Sequence, residues 1–334
     1  MSARQHKGFV LVLTLWVLVV VAIAAGYFSE RVSRAVELAQ RSQQNTRAAI
    51  DMSNTRAELL YRLGTTTLTE DGLGRGPIAL RLDSRVYHGA GGTLVQVQDT
   101  RGLLNLNFTD DDRLYRFLGL LGIEAGQRGA MIDTLRDYID ADKFHRLNGA
   151  EEQDYLAKNM LAPTNRELAT PWEARRVMGW GDQPLLWQKN RLVDLTTTGS
   201  SLGINPNTAP AEVLATLPGA TEEVVARILA QRKLAPFTHE GQVAAITGMP
   251  LNLPMGMGVI VIPSDTLRIT QFASTTPWAE QIVVRLTPTN DVAPWRIDYY
   301  GRISPPDPPP QNTIDMPARS IATPEKAPSF LFEK

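Results

Sequence analysis

From Phe9 to Phe28 the chain reads FVLVLTLWVLVVVAIAAGYF, a run without a single charge. About 20 helical residues at 1.5 Å rise cross the hydrocarbon of a bilayer, so this stretch predicts a membrane span. The helical pattern continues past Ser29 without a turn signal. Val32, Ala35, Val36 and Ala39 fall at i, i+3, i+4 and i+7, one face of a helix. Residues 29 to about 63 are charged, Ala-rich and free of Gly and Pro until Gly64, which predicts one rod of roughly 80 Å for span and stalk together. A Gly-rich loop follows from Asp71 to Pro77. From Gly92 the run GTLVQVQDTRGLLNLN alternates apolar and polar positions, as two short strands around a turn at Asp99 to Gly102 do. Far downstream, DTLRITQFAS, AEQIVVRLTP and WRIDYYGRI show the same alternation. The pattern predicts one antiparallel sheet split in sequence. Between its halves, helical periodicity dominates from Thr109 to about Met257, and residues 304–334 are Pro-rich without periodicity, as a flexible tail is. The expected fold is α+β, a sheet interrupted by a large, mainly helical insertion.

With 334 residues, 43% of them apolar, the chain can bury the cores of two domains. A formal charge of -1 provides no general attraction for nucleic acid or anionic lipid. The absence of cysteine excludes disulfides, thiolate metal sites and thiol nucleophiles. Arg4 and Lys7 precede the span, so the positive-inside rule keeps the short N-terminal end cytoplasmic and places the bulk across the membrane. Ala22, Ala24 and Ala25 offer the competing reading of a cleaved secretory signal. The apolar run is longer than a usual signal core and continues into the stalk, which favours the anchor.

The junction Lys7-Gly8-Phe9 resembles the site cut by a type IV prepilin peptidase, with a short basic leader ending in Gly directly before Phe and a span. The segments NLNFTDDDRLYRFL, LRDYIDAD, GAEEQDYL and INPNTAPAEVLATLPGA, in that order, are similar to the helical domain of the minor pseudopilin K family of type II secretion. Most pilin-like proteins carry Glu at the fifth mature position. This chain has Leu13 there, and the family resembled typically lacks that Glu. A carboxylate within the membrane costs about 2.5–3.5 kcal/mol unless paired, and a subunit with nothing above it needs no such partner.

The resemblance implies a pilin-like fold with these parts: a leader at 1–8, a transmembrane helix at 9–28, stalk helix and first strands at 29–104, an inserted helical domain at 105–257, C-terminal strands at 258–303 and the tail at 304–334. It implies processing between Gly8 and Phe9, methylation of Phe9, and an inner-membrane protein with its bulk in the periplasm. It implies assembly with other minor pseudopilins and the major pseudopilin at a pseudopilus tip, in support of protein secretion and without enzymatic activity. Leu13, Val32, Val36 and Ala39 are the candidate assembly residues.

An acidic group, Asp137, Asp140, Asp142, Glu151, Glu152 and Asp154, lies on a helix end and the loop after it. Hard divalent cations take six to eight oxygen ligands, which carboxylates so placed can supply. Asp137 and Asp140 share a helical face, and Gly149 lets the chain double back. The family resembled is associated with Ca²⁺ in this domain. Asp140, Asp142 and Glu151 fall on its pattern, and Asp137 and Glu152 complete the candidate set. A solvated acidic loop is the competing reading.

Other chemistry is poorly supported. Gly72, Gly74 and Gly76 lack the strand and the Lys-Ser/Thr helix of a phosphate loop. His6, His88, His145 and His239 are dispersed, without H-E-x-x-H or G-x-S-x-G. The segment Ile204 to Arg232 resembles a helix-hairpin-helix: Thr208 is a candidate cap, Pro210 fits a first turn, Pro218-Gly219 forms the hairpin and Thr221 caps the next helix. A membrane-anchored DNA-binding protein is the alternative that follows. Residues 105–257 hold 15 Lys/Arg against 19 Asp/Glu, and Glu222 and Glu223 follow the hairpin directly, so phosphate is repelled and no nucleic acid is expected.

Overall fold

The structure is a computed structural model that describes residues 7–248, 258–306 and 310–317. Helix α1 (Lys7–Thr65) is a single rod of 59 residues, about 88 Å long at 1.5 Å per residue. Its stalk is reinforced by i, i+4 pairs at Glu30–Arg34, Glu37–Arg41 and Glu58–Arg62, each with Glu N-terminal to Arg, the favourable order along the helix dipole. Val10 to Phe28 are exposed along the rod, as a lipid-facing span requires. Only from Ala48 onward does α1 bury a stripe, Ala48, Met52, Thr55, Leu59 and Leu63, at spacings of three and four. That stripe is the seat of the sheet.

The chain then forms a small ribbon, β1 (Leu68–Thr69) and β2 (Gly72–Leu73), and enters the main sheet through β3 (Asp83–His88) and β4 (Thr93–Asp99). The insertion follows: β5 (Leu104–Asn105), α2 (Asp111–Leu120), α3 (Ala125–Ile139), α4 (Glu152–Ala157), α5 (Pro184–Trp187), α6 (Arg191–Leu195), β6 (Thr196–Thr197), α7 (Ala211–Leu214), α8 (Glu222–Leu234) and α9 (Glu240–Thr247). The sheet resumes with β7 (Thr266–Ala273), β8 (Ala279–Leu286), β9 (Trp295–Ile303) and β10 (Thr313–Asp315). Strand order is β10-β3-β4-β7-β8-β9, antiparallel except where β10 pairs parallel with β3. The strands β4 and β7, far apart in sequence, pair without interruption from Thr93↔Ala273 to Asp99↔Leu267. The predicted split sheet is therefore present, with β7 buried along its whole length at the centre.

Three expectations need correction. The second strand of the 92–107 run does not join this sheet: β5 pairs in parallel with β6, and Leu104 and Leu106 pack into the helical core. Val259 and Val261 belong to that core too, so the insertion is wider than 105–257 at both ends. The tail is also not structureless throughout. Thr313–Asp315 pairs with Val86–His88, and Arg62 Nη1 donates to the Pro317 carbonyl at 2.8 Å. Short, Pro-flanked strands at a sheet edge carry little periodicity to reveal them.

Two large hydrophobic cores stand out among the described residues. One, under α1, gathers Leu59, Leu63, Tyr87, Val95, Ile269 and Val284. The other, inside the insertion, gathers Phe117, Tyr138, Tyr155, Trp180 and Trp187. Trp180 and Trp187 are thus core anchors, and Trp172 packs against the same cluster.

A buried polar seam joins the two units. Asp99, fully buried at the end of β4, accepts five hydrogen bonds: from the amides of Arg101 (3.0 Å) and Ser264 (2.9 Å), and from Ser264 Oγ (2.7 Å), Asn205 Nδ2 (2.9 Å) and Thr208 Oγ1 (2.9 Å). One carboxylate thus ties the strand that leaves the sheet, the segment that returns to it and the hairpin region. Arg268 on β7 adds a second tie, donating to the carbonyls of Val193 and Asp194 at the end of α6, both at 2.6 Å.

Candidate metal centre and assembly surfaces

Helix α3 ends at Asp140, whose backbone turns extended (φ -78, ψ 165), and α4 begins after Glu151, its N-cap residue. The loop between them doubles back and brings Asp140, Asp142 and Glu151 together, with one ligand oxygen of each within 4.8 Å of the others. Polar ties hold the loop against the domain. The Arg146 amide donates to both oxygens of Asp137 (3.3 and 3.2 Å), Arg146 Nη1 donates to Asp111 (2.9 Å), and the Asn148 amide and Nδ2 donate to Asp133 (3.1 Å each). Asn165 Nδ2 donates to the Asp142 carbonyl at 3.2 Å. Gly149 is required where it stands, because a Cβ there would lie 1.8 Å from Asp137 Oδ2.

Two of the three carboxylates, Asp140 and Glu151, carry burial that a cation would relieve, and Asp142 is exposed beside them. Asp140 Oδ1 and Glu151 Oε1 are buried acceptors with no hydrogen-bond partner. Burial, and then the neighbouring carboxylates, push the carboxyl groups of Asp140 and Glu151 above their ordinary range. Such a group is costly when ionised, and a hard divalent cation bound to its oxygens removes the cost.

The rest of the predicted set divides. Asp137 is buried, and its oxygens serve the loop amides, so its place is behind the triad as a support for the loop. Burial pushes its carboxyl upward as well. Glu152 does not join the triad. It is exposed and lies 3.7 Å from Lys143, because its position in the first turn of α4 points it along the helix surface. Asp154 accepts from the Glu151 amide at 3.0 Å and lies 3.4 Å from His145.

The hairpin segment is built as expected at its second half. Gly219 takes the left-handed conformation (φ +72), and Thr221 Oγ1 accepts from the Val224 amide at 3.3 Å. The first half differs: Thr208 caps no helix, because its hydroxyl donates to Asp99. Arg232 Nη1, a basic group of this segment, donates to the carbonyls of Pro206 and Ala209 (3.1 and 2.6 Å). The hairpin serves packing and junction chemistry.

The candidate assembly residues lie on α1. Leu13 is 54% exposed, Val32 45% and Val36 49%, and Ala39 is exposed too, so none is used in the chain's own core. They form the free length of rod below the stripe that starts at Ala48. Of the processing residues, Gly8 and Phe9 fall at the start of α1, and their side chains lie outside the described residues, as does the leader through His6.

Sequence reasoning missed Asp99 and Arg268. The run DTRG around Asp99 signals only a turn, and nothing local shows that a buried carboxylate will collect donors from positions 205, 208 and 264.

Comparison with known proteins agrees with this architecture. Two family models described as type II secretion system protein K match residues 96–187 and 204–253, together most of the insertion and the strand before it. The protein K of Klebsiella pneumoniae is 27% identical over 273 residues, covering 75% of this chain and 81% of the relative. In fold, the chain is similar to one in the crystal structure of the GspK-GspI-GspJ complex of the enterotoxigenic Escherichia coli type 2 secretion system. That match has a TM-score of 0.50 at 19% identity and covers 81% of this chain and 100% of the other. The order of the matched segments, the long anchor helix and the helical domain set into a pilin-like sheet lead to one conclusion: the chain is a minor pseudopilin similar to the type II secretion system protein K.

Proposed function

We propose that this chain works by assembly at the tip of a pseudopilus, joining other minor pseudopilins through α1 and its sheet. The carrying observation is the combination of a bare rod with a bulky insertion. The lower part of α1 exposes an apolar face that the chain does not bury, while the insertion would obstruct a subunit stacked above it. Leu13 lacks the carboxylate that would pair with the terminal amine of a neighbouring subunit, which fits a terminal position. The relative in the three-protein crystal structure assembles with GspI and GspJ, so the counterparts of those proteins, and then the major pseudopilin of the shaft, are the natural partners.

In this reading prepilin peptidase cuts between Gly8 and Phe9, Phe9 is methylated, and the anchor stays in the inner membrane with the bulk in the periplasm. The chain has no catalytic role, in keeping with a family of structural secretion components. Ca²⁺ is held by Asp140, Asp142 and Glu151, with Asp137 supporting the loop. The cation supplies charge compensation, and the carboxylates supply the oxygens that fix the end of α3 to the start of α4. N-terminal sequencing of the membrane-extracted protein tests the processing step on which assembly depends. Phe9 is the expected first residue, and a mature chain starting near Ala25 or Gly26 overturns the reading.

A further inference from the structure

A cleft of about 470 Å³ lies between the face of β7, β8 and β9 and the loops 167–172 and 196–200 of the insertion. Its chemistry is unbalanced toward positive charge. Arg285 Nε and Arg296 Nε both donate to the same carboxylate, Asp298, at 3.0 and 2.6 Å. Arg285 Nη1 also reaches across to Ser200 Oγ at 2.8 Å, so the cleft is tied at this point to its opposite wall. Arg268 lines the floor at 7% exposure. It caps the carbonyls of Val193 and Asp194, which uses two of the five N–H donors of a guanidinium, and it feels the opposite charge of the nearby Asp194 carboxyl. Against three guanidinium groups the lining offers Asp298 and the exposed Glu167 at the rim. A concave, low-dielectric site with surplus cation focuses its field on an anion.

Among the described residues, the rim of this cleft is also an edge of the sheet, the strand β9. The edge strand β9, nine residues long, contributes Arg296, Asp298 and Tyr299 to the lining. An edge strand presents a row of unpaired backbone groups, and charged side chains on it guard against indiscriminate pairing. Here the guard is basic. Arg296 and Arg302 are exposed on β9, and its carboxylate Asp298 already serves two arginines. Exposed Ile297 and Tyr300 on the same strand provide apolar contact for a neighbour.

We propose that β9 and this cleft together form a docking site for an extended, acidic segment of a partner protein. The segment adds as a strand to the outer edge of β9 and places a carboxylate over Arg285 and Arg296, which face each other across β8 and β9. The cleft lining holds no residue of α1 and none of the carboxylate triad, so the site can be tested apart from assembly through the lower part of α1 and from cation binding.

The test uses the full-length protein in detergent micelles and a fluorescently labelled peptide of alternating valine and glutamate, followed by anisotropy. A valine–lysine peptide and free glutarate are the comparison probes. The acidic peptide is expected to bind, to weaken as salt rises, and to lose affinity by about tenfold or more in Arg296→Glu, whose parent side chain is 65% exposed and carries no core packing. Circular dichroism and an unchanged melting temperature confirm that the variant is folded. Lack of binding by the acidic peptide, equal binding of the lysine peptide, or an Arg296→Glu variant that binds like the parent overturns the proposal. Displacement by glutarate at equal concentration assigns the cleft to small anions and overturns the strand-addition part.

Discussion

Replacing Asp99 by Ala removes the acceptor that holds the insertion on the sheet. The five donors it leaves behind are two amides, two hydroxyls and one carboxamide, all drawn to one buried carboxylate at 2.7 to 3.0 Å. A hydrogen bond to a charged group contributes about 1.5–3 kcal/mol net, and each stranded buried donor costs about 1–3 kcal/mol. Some donors have other acceptors at hand. Ser264 Oγ also reaches the Thr266 carbonyl at 2.7 Å, and Thr208 Oγ1 reaches the Asn205 carbonyl at 3.4 Å. The contributions of one network do not add in full. Counting two donors as lost without replacement gives a destabilisation of roughly 4 kcal/mol, at the upper end of what single substitutions do. For a unit of this size that corresponds to a fall in Tm of about 10 °C. Scanning calorimetry of the full chain in detergent, with limited proteolysis around residues 100 and 262, reads both the fall and the loosening of the junction. Asp99→Asn keeps one acceptor oxygen but presents an NH₂ to other donors, so it is expected to lie between Ala and the parent. A Tm for Asp99→Ala within a degree or two of the parent would refute the reasoning, because a polar seam that can be cut without cost does not fix the domains.

Two further predictions concern the acidic loop. Ca²⁺ is expected to raise the melting temperature of the chelator-treated protein, by linkage, once it exceeds its dissociation constant, and Glu151→Gln is expected to abolish most of that rise. Calorimetry with no heat of binding and identical melts in Ca²⁺ and chelator removes the site. In the metal-free protein, Asp140 and Glu151 hold folded-state pKa values above their unfolded ones, so the folded form binds more protons and stability falls as pH rises from the ordinary carboxylate range through the raised values. Chelated protein is therefore expected to melt higher at mildly acidic pH than at neutral pH, with the difference reduced by Ca²⁺. A melting temperature that rises steadily with pH in chelator contradicts this.

Much of the fold was legible because its largest features are periodic. The uncharged run 9–28, the Gly-free stalk and the alternation of β4, β7, β8 and β9 each write a long pattern, and the order of elements then required an insertion. Short or irregular elements were not legible. Strand β3 hides its alternation behind a register shift between Asp83 and Val86 and a positive φ at Ser84. The parity of Leu104 and Leu106 is the same whether β5 pairs with β4 or with β6, so only packing decides. In the acidic loop, residue types and their resemblance to a family pattern indicated the right neighbourhood. Asp137 and Glu152 had to be sorted by whether amides or solvent meet their oxygens, and that is a long-range fact. The stripe from Ala48 to Leu63 was readable as helix, but that the sheet lies on it, and leaves Val32 and Val36 bare, follows only from the strands.

The central claim is that this bare stretch of α1 is an assembly surface. The direct measurement is light scattering of complexes formed by the full-length protein co-expressed with the other minor pseudopilins, comparing the parent with the double substitution Val32→Asp and Val36→Asp. Both side chains are about half exposed and touch no core of their own chain, so circular dichroism and melting of the globular part are expected to stay unchanged. A carboxylate at each position interrupts the apolar face, while charges such as Glu30, Arg34 and Arg41 set register more than affinity. The account predicts a heteromeric complex for the parent and a mass near that of the single chain for the variant. A variant that assembles as fully as the parent would contradict it and place the interface elsewhere on the molecule.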